Sequence, residues 1–201
     1  MSNALIVKHL AKTIIIQFNR PEIRSPLSIF VLDELQEILG EVSENLIIEA
    51  IIFTGREDVF ASGADLREIA AVTGDAAVEF ALRGQSLMNK IAASKKKTVA
   101  AINGFCFGGA LDLALACDKR IASLNATFSH PGVSLGIITG WGGTQRLPRL
   151  VGEAKALEMF LTVKRVDANE ALQFGLIDKI SENPLAESLA NYSGDYSSIN
   201  I

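Results

Sequence analysis

The chain has 201 residues, a net charge of −4, 49% hydrophobic residues and 21% charged residues, which suits one soluble α/β-sized domain with a sizeable core. An acidic chain whose only dense basic run is Lys95, Lys96 and Lys97 is a poor non-specific partner for nucleic acid, and no stretch approaches the ~18 consecutive apolar residues of a membrane span. Two cysteines, Cys106 and Cys117, with only two histidines, make no zinc pattern and read as buried thiols of a reducing, cytoplasmic protein.

The predicted elements follow in chain order. The first residues, MSNALIVKHLAK, are too short and too polar for a signal peptide. Leu5, Ile6 and Val7, then residues 13–18 (TIIIQF), are β-branched runs that read as two paired strands. Ser28 is a plausible cap for a helix over 28–40, with Val31, Leu35, Ile38 and Val42 on one face. Residues 47–54 form the next strand. In the loop 55–65, Asp65 and Glu68 have capping-box spacing, so a helix begins near Leu66. Asp75 caps a longer helix to about Ser94, with Val78, Leu82, Met88 and Ile91 on its face. The three lysines at 95–97 sit at its end, where the dipole favours cations.

The centre of the chain is 100–117, AAINGFCFGGALDLALAC. Residues 98–102 are a buried-strand run, broken by Asn103 and Gly104. Gly108 and Gly109 then open a helix of strong helix formers. A glycine pair there has two readings. It presents free N–H groups at the positive end of a helix to an anion or developing oxyanion, or it allows tight packing. The spacing is not that of a dinucleotide-binding loop.

Beyond it, 120–123 and 127–129 read as strands, and His130, Pro131 and Gly132 as a turn. A loop rich in glycine precedes helices over 144–151 and 153–162. Asp167 caps a helix over 168–174, Gly175 stops it, and 176–180 is a last strand. One short helix fits after Pro184, and the polar tail 191–201 is expected to fray. Strands alternating with helices predict an α/β domain with a mostly parallel sheet.

Three motifs coincide in order: FASGADLREI at 60–69, INGFCFGGALDLALACD at 102–118, and HPGVSLGIITGWGGTQRLPRLVG at 130–152. Together they closely resemble the enoyl-CoA hydratase/isomerase family, also called the crotonase family. NRPEIRSPLS at 19–28 and FGLIDKI, ending at Ile180, are similar to it as well. The resemblance implies a spiral of ββα repeats over residues 1–183, a short helix and polar tail over 184–201, and a C-terminal helical region largely absent. It implies an acyl-CoA thioester as substrate, with coenzyme A carried by the substrate and no further cofactor or metal. It also leads to the expectation of a homo-oligomer, a trimer or hexamer, with a tail that is disordered or docks on a neighbour.

By that resemblance the N–H groups of Ala64 and Gly109 hold the thioester oxygen. Gly63, Asp65, Leu66, Arg67 and Gly108 lie beside them, and Arg24 borders the coenzyme. Arg67 is either a partner for a CoA phosphate or a solvated helix charge. Phe107 and Trp141 either wall the acyl pocket or pack in the core. Two positions depart from the family pattern. Asp112 stands where a glutamate is usual, and Gly132 stands where a second carboxylate is usual. Asp112 remains able to carry a proton, although its side chain is one methylene shorter. His130 is either a further base or a loop residue. Hydration, isomerisation and decarboxylation all stay open, as does a module that binds acyl-CoA without turnover.

Overall fold

The computed structural model describes residues 4–192. The chain opens with β1 (Leu5–Leu10) and β2 (Thr13–Phe18), an antiparallel pair. Helix α1 (Ile29–Glu44) starts at Ser28, whose hydroxyl accepts from the Val31 N–H and satisfies one free donor of the first turn. It runs four residues past the predicted end and buries Val31, Leu32, Leu35, Leu39 and Val42.

Next come β3 (Ala50–Thr54) and β4 (Val59–Ala61), then α2 (Leu66–Ala71) and α3 (Gly74–Ala92). Strand β5 (Lys97–Ile102) leads to β6 (Phe105–Phe107) and α4 (Gly109–Ala116). Strands β7 (Lys119–Ala122) and β8 (Thr127–Ser129) precede α5 (Gly143–Val151) and α6 (Glu153–Thr162). The last elements are β9 (Val166–Asp167), α7 (Ala168–Gln173), β10 (Lys179–Ile180) and α8 (Pro184–Tyr192).

The chain repeats one unit: a strand in each of two sheets, then helix. The first strands, β3, β5 and β7, lie parallel in a six-stranded sheet of order β1-β2-β3-β5-β7-β10. The second strands, β4, β6 and β8, lie parallel in a four-stranded sheet closed by antiparallel β9. This is the predicted ββα spiral. Both faces of the central strands of the large sheet are covered, so β2, β3 and β5 are largely apolar, while the edge strand β1 is mostly exposed. Ile14, Ile16, Phe53, Ala100 and Ile102 point into the main core. Ile15, Ile52, Val99, Ala101 and Ile121 point the other way, onto Leu185, Leu189 and Tyr192 of α8.

Several predicted boundaries shift. The strand expected at 47–54 begins at Ala50, and Ile47 is solvent-exposed. Thr73, not Asp75, stands at the start of α3, and Val78 and Leu82 are exposed, while Met88 and Ile91 are buried. Only the C-terminal half of the expected stripe packs, because the face of α3 carrying Val78 and Leu82 has no neighbour to cover it. The turn at 130–132 is the start of a short 3-10 helix, Pro131–Leu135. The strand expected at 176–180 is only two residues long. Strands β4 and β6 were not predicted as strands; three residues each are too short for an alternation signal. Glu68 does not close a capping box on Asp65 but accepts from the Ile29 N–H at 2.8 Å, joining α2 to α1. Asn191 and Tyr192, expected to fray, are the last residues of α8, held there because the Tyr192 ring packs on the large sheet; the rest of the expected tail and its docking, 193–201, lie outside the described residues.

Candidate active site

The two glycine motifs meet just past the C-terminal ends of β4 and β6, parallel neighbours in the small sheet. Gly63 follows β4 and holds φ +91°, a conformation that favours glycine. A Cβ there would lie 2.7 Å from the Phe107 carbonyl oxygen and 2.8 Å from the Gly109 nitrogen. So glycine at 63 is required for the 62–64 segment to press against the start of α4. Leu27 N–H donates to the Gly63 carbonyl at 2.8 Å and braces the segment from the other side. Ala64 and Gly109 then line one cavity of about 390 Å³. Gly109 is the first residue of α4, so its N–H has no intrahelical partner. No cross-element backbone hydrogen bond among the described residues takes up the N–H of either residue.

Asp112 lies one turn into α4, and its carboxyl is buried against the cavity. Thr139 Oγ1 donates to Oδ2. Gly143 makes room for this carboxyl, since a Cβ at 143 would overlap Oδ1. An early-helix position and the nearby Arg146 charge both favour the ionised form. Burial outweighs them, together with the Thr139 and Trp141 hydrogen bonds, and raises the Asp112 pKa to about 7. His130 is buried as well, and burial lowers its pKa to about 4. Its Nε2 lies 3.5 Å from Asp112 Oδ1. Between those two pKa values both groups are neutral, so the contact is not an ion pair.

Trp141 forms another part of the wall. Its ring is buried between α3 and α4. A Cβ at Gly84 would overlap one edge of the indole and a Cβ at Gly109 would overlap the other. The glycine in mid-α3 weakens the helix by roughly 1 kcal/mol relative to alanine, and this close approach is its physical reason. Phe80 packs on the same ring with centroids 5.8 Å apart. Gln85 Nε2 donates to the Gly140 carbonyl at 2.8 Å and ties the 136–142 loop to α3.

Of the residues singled out in the sequence, Ala64, Leu66, Gly108, Gly109, Asp112, His130, Gly132 and Trp141 come together around the cavity. Gly63 shapes it from behind. Phe107 does not wall it: alternation along β6 turns its ring outward, against Phe105 at 5.5 Å and under the Arg165 guanidinium. Arg24 sits over the Phe105 ring at 5.4 Å, also away from the cavity. Asp65 is buried as the cap of α2, accepting from the Arg67 N–H at 2.9 Å and from its guanidinium. That guanidinium bond holds the Asp65 carboxyl below its ordinary range. Arg67 itself is 82% exposed. Gly132 brings only backbone, and a Cβ there would lie 2.9 Å from the Ile137 carbonyl oxygen.

Thr139, Gly143 and Gly84 were not foreseen. A mid-helix glycine was a usable signal for Gly84. Nothing local marks Thr139, which lies 27 residues from the carboxyl it touches. Cys106 and Cys117 are both free and buried, and burial raises the Cys117 pKa to about 12.

An apolar cavity with one buried acid and unpaired backbone donors, set at the C-terminal ends of the parallel strands β4 and β6, marks an α/β protein with a ligand-sized site and one ionisable acid in it. A model of the enoyl-CoA hydratase/isomerase family matches residues 9–191, and the chain belongs to that family. It is 37% identical over 181 residues to a short-chain-enoyl-CoA hydratase of Clostridium acetobutylicum, covering 90% of this chain and 69% of that protein. It is 38% identical over 177 residues to a crotonyl-CoA hydratase of Syntrophomonas wolfei, covering 88% and 68%. The solved enoyl-CoA hydratase of Bacillus anthracis superposes with a TM-score of 0.87 at 35% identity, over 94% of this chain and 74% of that one.

Proposed function

We propose that this protein forms and reprotonates the enolate of an acyl-CoA thioester, with Asp112 as the proton carrier. The observation that carries the reading is that Asp112 is the only acidic side chain lining the cavity among the described residues. It lies three residues from Gly109, whose N–H is a free donor. In this reading the thioester oxygen sits between the N–H groups of Ala64 and Gly109, and coenzyme A arrives with the substrate. Loss of the α-proton to the Asp112 carboxylate breaks a C–H bond and leaves the electron pair spread onto that oxygen. Donors already in place stabilise the charge without reorganising.

A single carrier fits double-bond isomerisation best. The carboxylate takes the α-proton of a β,γ-unsaturated thioester, and the carboxylic acid returns it at the γ-carbon, with no net change in the protein. Hydration needs a further group to activate water, and Gly132 has no side chain for that. The relatives named as hydratases make hydration the reaction to test against it.

The experiment is a parallel assay with a 3-enoyl-CoA and with crotonyl-CoA. Isomerisation is expected at ordinary enzyme rates, ~1–10³ s⁻¹. Hydration is expected to be slower by about 10²- to 10⁴-fold, the usual contribution of one acid–base group. Hydration at ~10 s⁻¹ or above without isomerisation overturns the reading. Binding of acyl-CoA without either reaction supports a non-catalytic module instead.

We also propose a cytoplasmic homo-oligomer, a trimer or hexamer. Two unoxidised thiols support the compartment. Exposed Leu157 and Leu161 on α6, with Leu150 and Leu172 nearby in sequence, support a covered face. Light scattering that finds a stable monomer at micromolar concentration refutes the assembly.

A further inference from the structure

Asp112 Oδ1 and His130 Nε2 are both shielded from solvent and both lack a hydrogen-bond partner among the described residues. They face each other at 3.5 Å across the edge of the cavity. An unsatisfied buried polar atom is costly, and native structures hold few of them. Two such atoms aimed at one another mark a contact that closes in another protonation state. Oδ2 is already held by Thr139, so the free oxygen is the one His130 can reach.

We infer that His130 is the positioning residue for Asp112, donating Nε2–H to Oδ1 when the carboxyl is ionised and releasing it when the acid forms. The inference rests on the reading of Asp112 as the proton carrier. With Thr139 on one oxygen and His130 on the other, the carboxylate plane is fixed toward the substrate. When the proton arrives from substrate, the oxygen loses its charge and the contact relaxes to the observed spacing. His130 does not itself take the proton, because burial keeps the ring neutral above about pH 4. Its other neighbour is the apolar Phe160 ring of α6, 5.1 Å away.

Two further titratable groups act on Asp112. Arg146 of α5 donates to the Asn89 side chain and the Trp141 carbonyl, and it stays charged throughout. The Cys106 thiol of β6 is held well above its ordinary value by burial and stays protonated. Neither changes charge near neutral pH, so the His130 contact is the one that can switch with Asp112.

The test follows the Asp112 carboxyl directly, by infrared spectroscopy of protein carrying ¹³C-labelled aspartate, with Asp112→Asn to assign the band. His130→Phe is expected to raise the Asp112 titration by about one to two pH units, the usual strength of a hydrogen bond to a charged group. The rising limb of the pH–rate profile should move with it, while KM changes less than about twofold. His130→Asn, whose amide also donates, should keep the titration within about half a unit of the native one. The unsubstituted protein offers a second readout: the ¹⁵N signal of His130 Nε2 should shift at the pH where Asp112 titrates. A carboxyl titration unmoved in His130→Phe, or an Nε2 signal flat through that pH, overturns the inference. If the titration moves and the rate profile does not, the pairing stands and the carrier role of Asp112 falls.

Discussion

Asp112→Asn is expected to lower turnover of acyl-CoA by about 10²- to 10⁴-fold while making the protein more stable at pH 8. The loss of rate follows because an amide cannot take the α-proton. The gain in stability follows from linkage. In the unfolded chain an aspartate titrates near 3.9. Burial raises Asp112 to about 7 in the fold. Between those values the native state binds more protons than the unfolded state, so stability falls as pH rises. The contribution is fully present below about pH 4, is lost progressively up to about pH 7, and is absent at pH 8. A shift of this size corresponds to a penalty of a few kcal/mol at most. Asparagine carries no charge to bury and retains an oxygen for the Thr139 hydroxyl. Urea unfolding at pH 5 and pH 8 reads the effect. The variant's advantage should grow between the two; an advantage that is equal at both, or negative at pH 8, contradicts a buried titrating carboxyl.

Gly104→Ala is expected to cost ~3 kcal/mol or more, at the severe end for a single methyl group. Gly104 is buried where β5 hands over to β6. A Cβ at 104 would overlap the backbone carbonyl of Asp58. That carbonyl accepts from the Phe105 N–H at 2.9 Å, so it cannot move without breaking the bond. No rotamer change relieves a clash with main chain. The same crossing holds the Asn103 side chain, which accepts from the Gly55 N–H and donates to the carbonyls of Glu57 and Val59. Displacing it moves β6 and, directly after it, Gly108 and Gly109. Gly74→Ala is the control: it stands at the start of α3 with nothing near its added methyl, so it should be neutral or stabilise by up to about 1 kcal/mol. A loss below ~1 kcal/mol for Gly104→Ala would show that the crossing yields easily.

Much of the scaffold is local in origin and was legible for that reason. Ser28, Asp65 and Asp167 cap helices because a short oxygen-bearing side chain can reach the free N–H two or three residues ahead. Gly175 ends α7 with φ +79°, as its place in the sequence suggested. Long apolar runs became the central strands of the large sheet. Of the small sheet only β8 was legible, at 127–129; β4, β6 and β9 are three residues or fewer and depend on partners far along the chain. Val78 and Leu82 misled for a related reason. Helical periodicity finds an apolar stripe but not the neighbour that will cover it, and these two side chains remain in solvent.

The site divides along the same line. Legible in the residues alone were the family, the glycine-rich turns that expose backbone donors, the presence of Asp112 and the lack of a carboxyl at 132. Those are properties of residue type and short spacing. Packing between distant segments turns Phe107 away from the cavity and grips Trp141 between Gly84 and Gly109. It also decided that Asp112 lies dry between Thr139 and His130, with a pKa near neutrality and not in the acid range of an early-helix aspartate. The reason is physical: desolvation is the sum of everything packed around a group, and here that packing comes from loops 18 and 27 residues away.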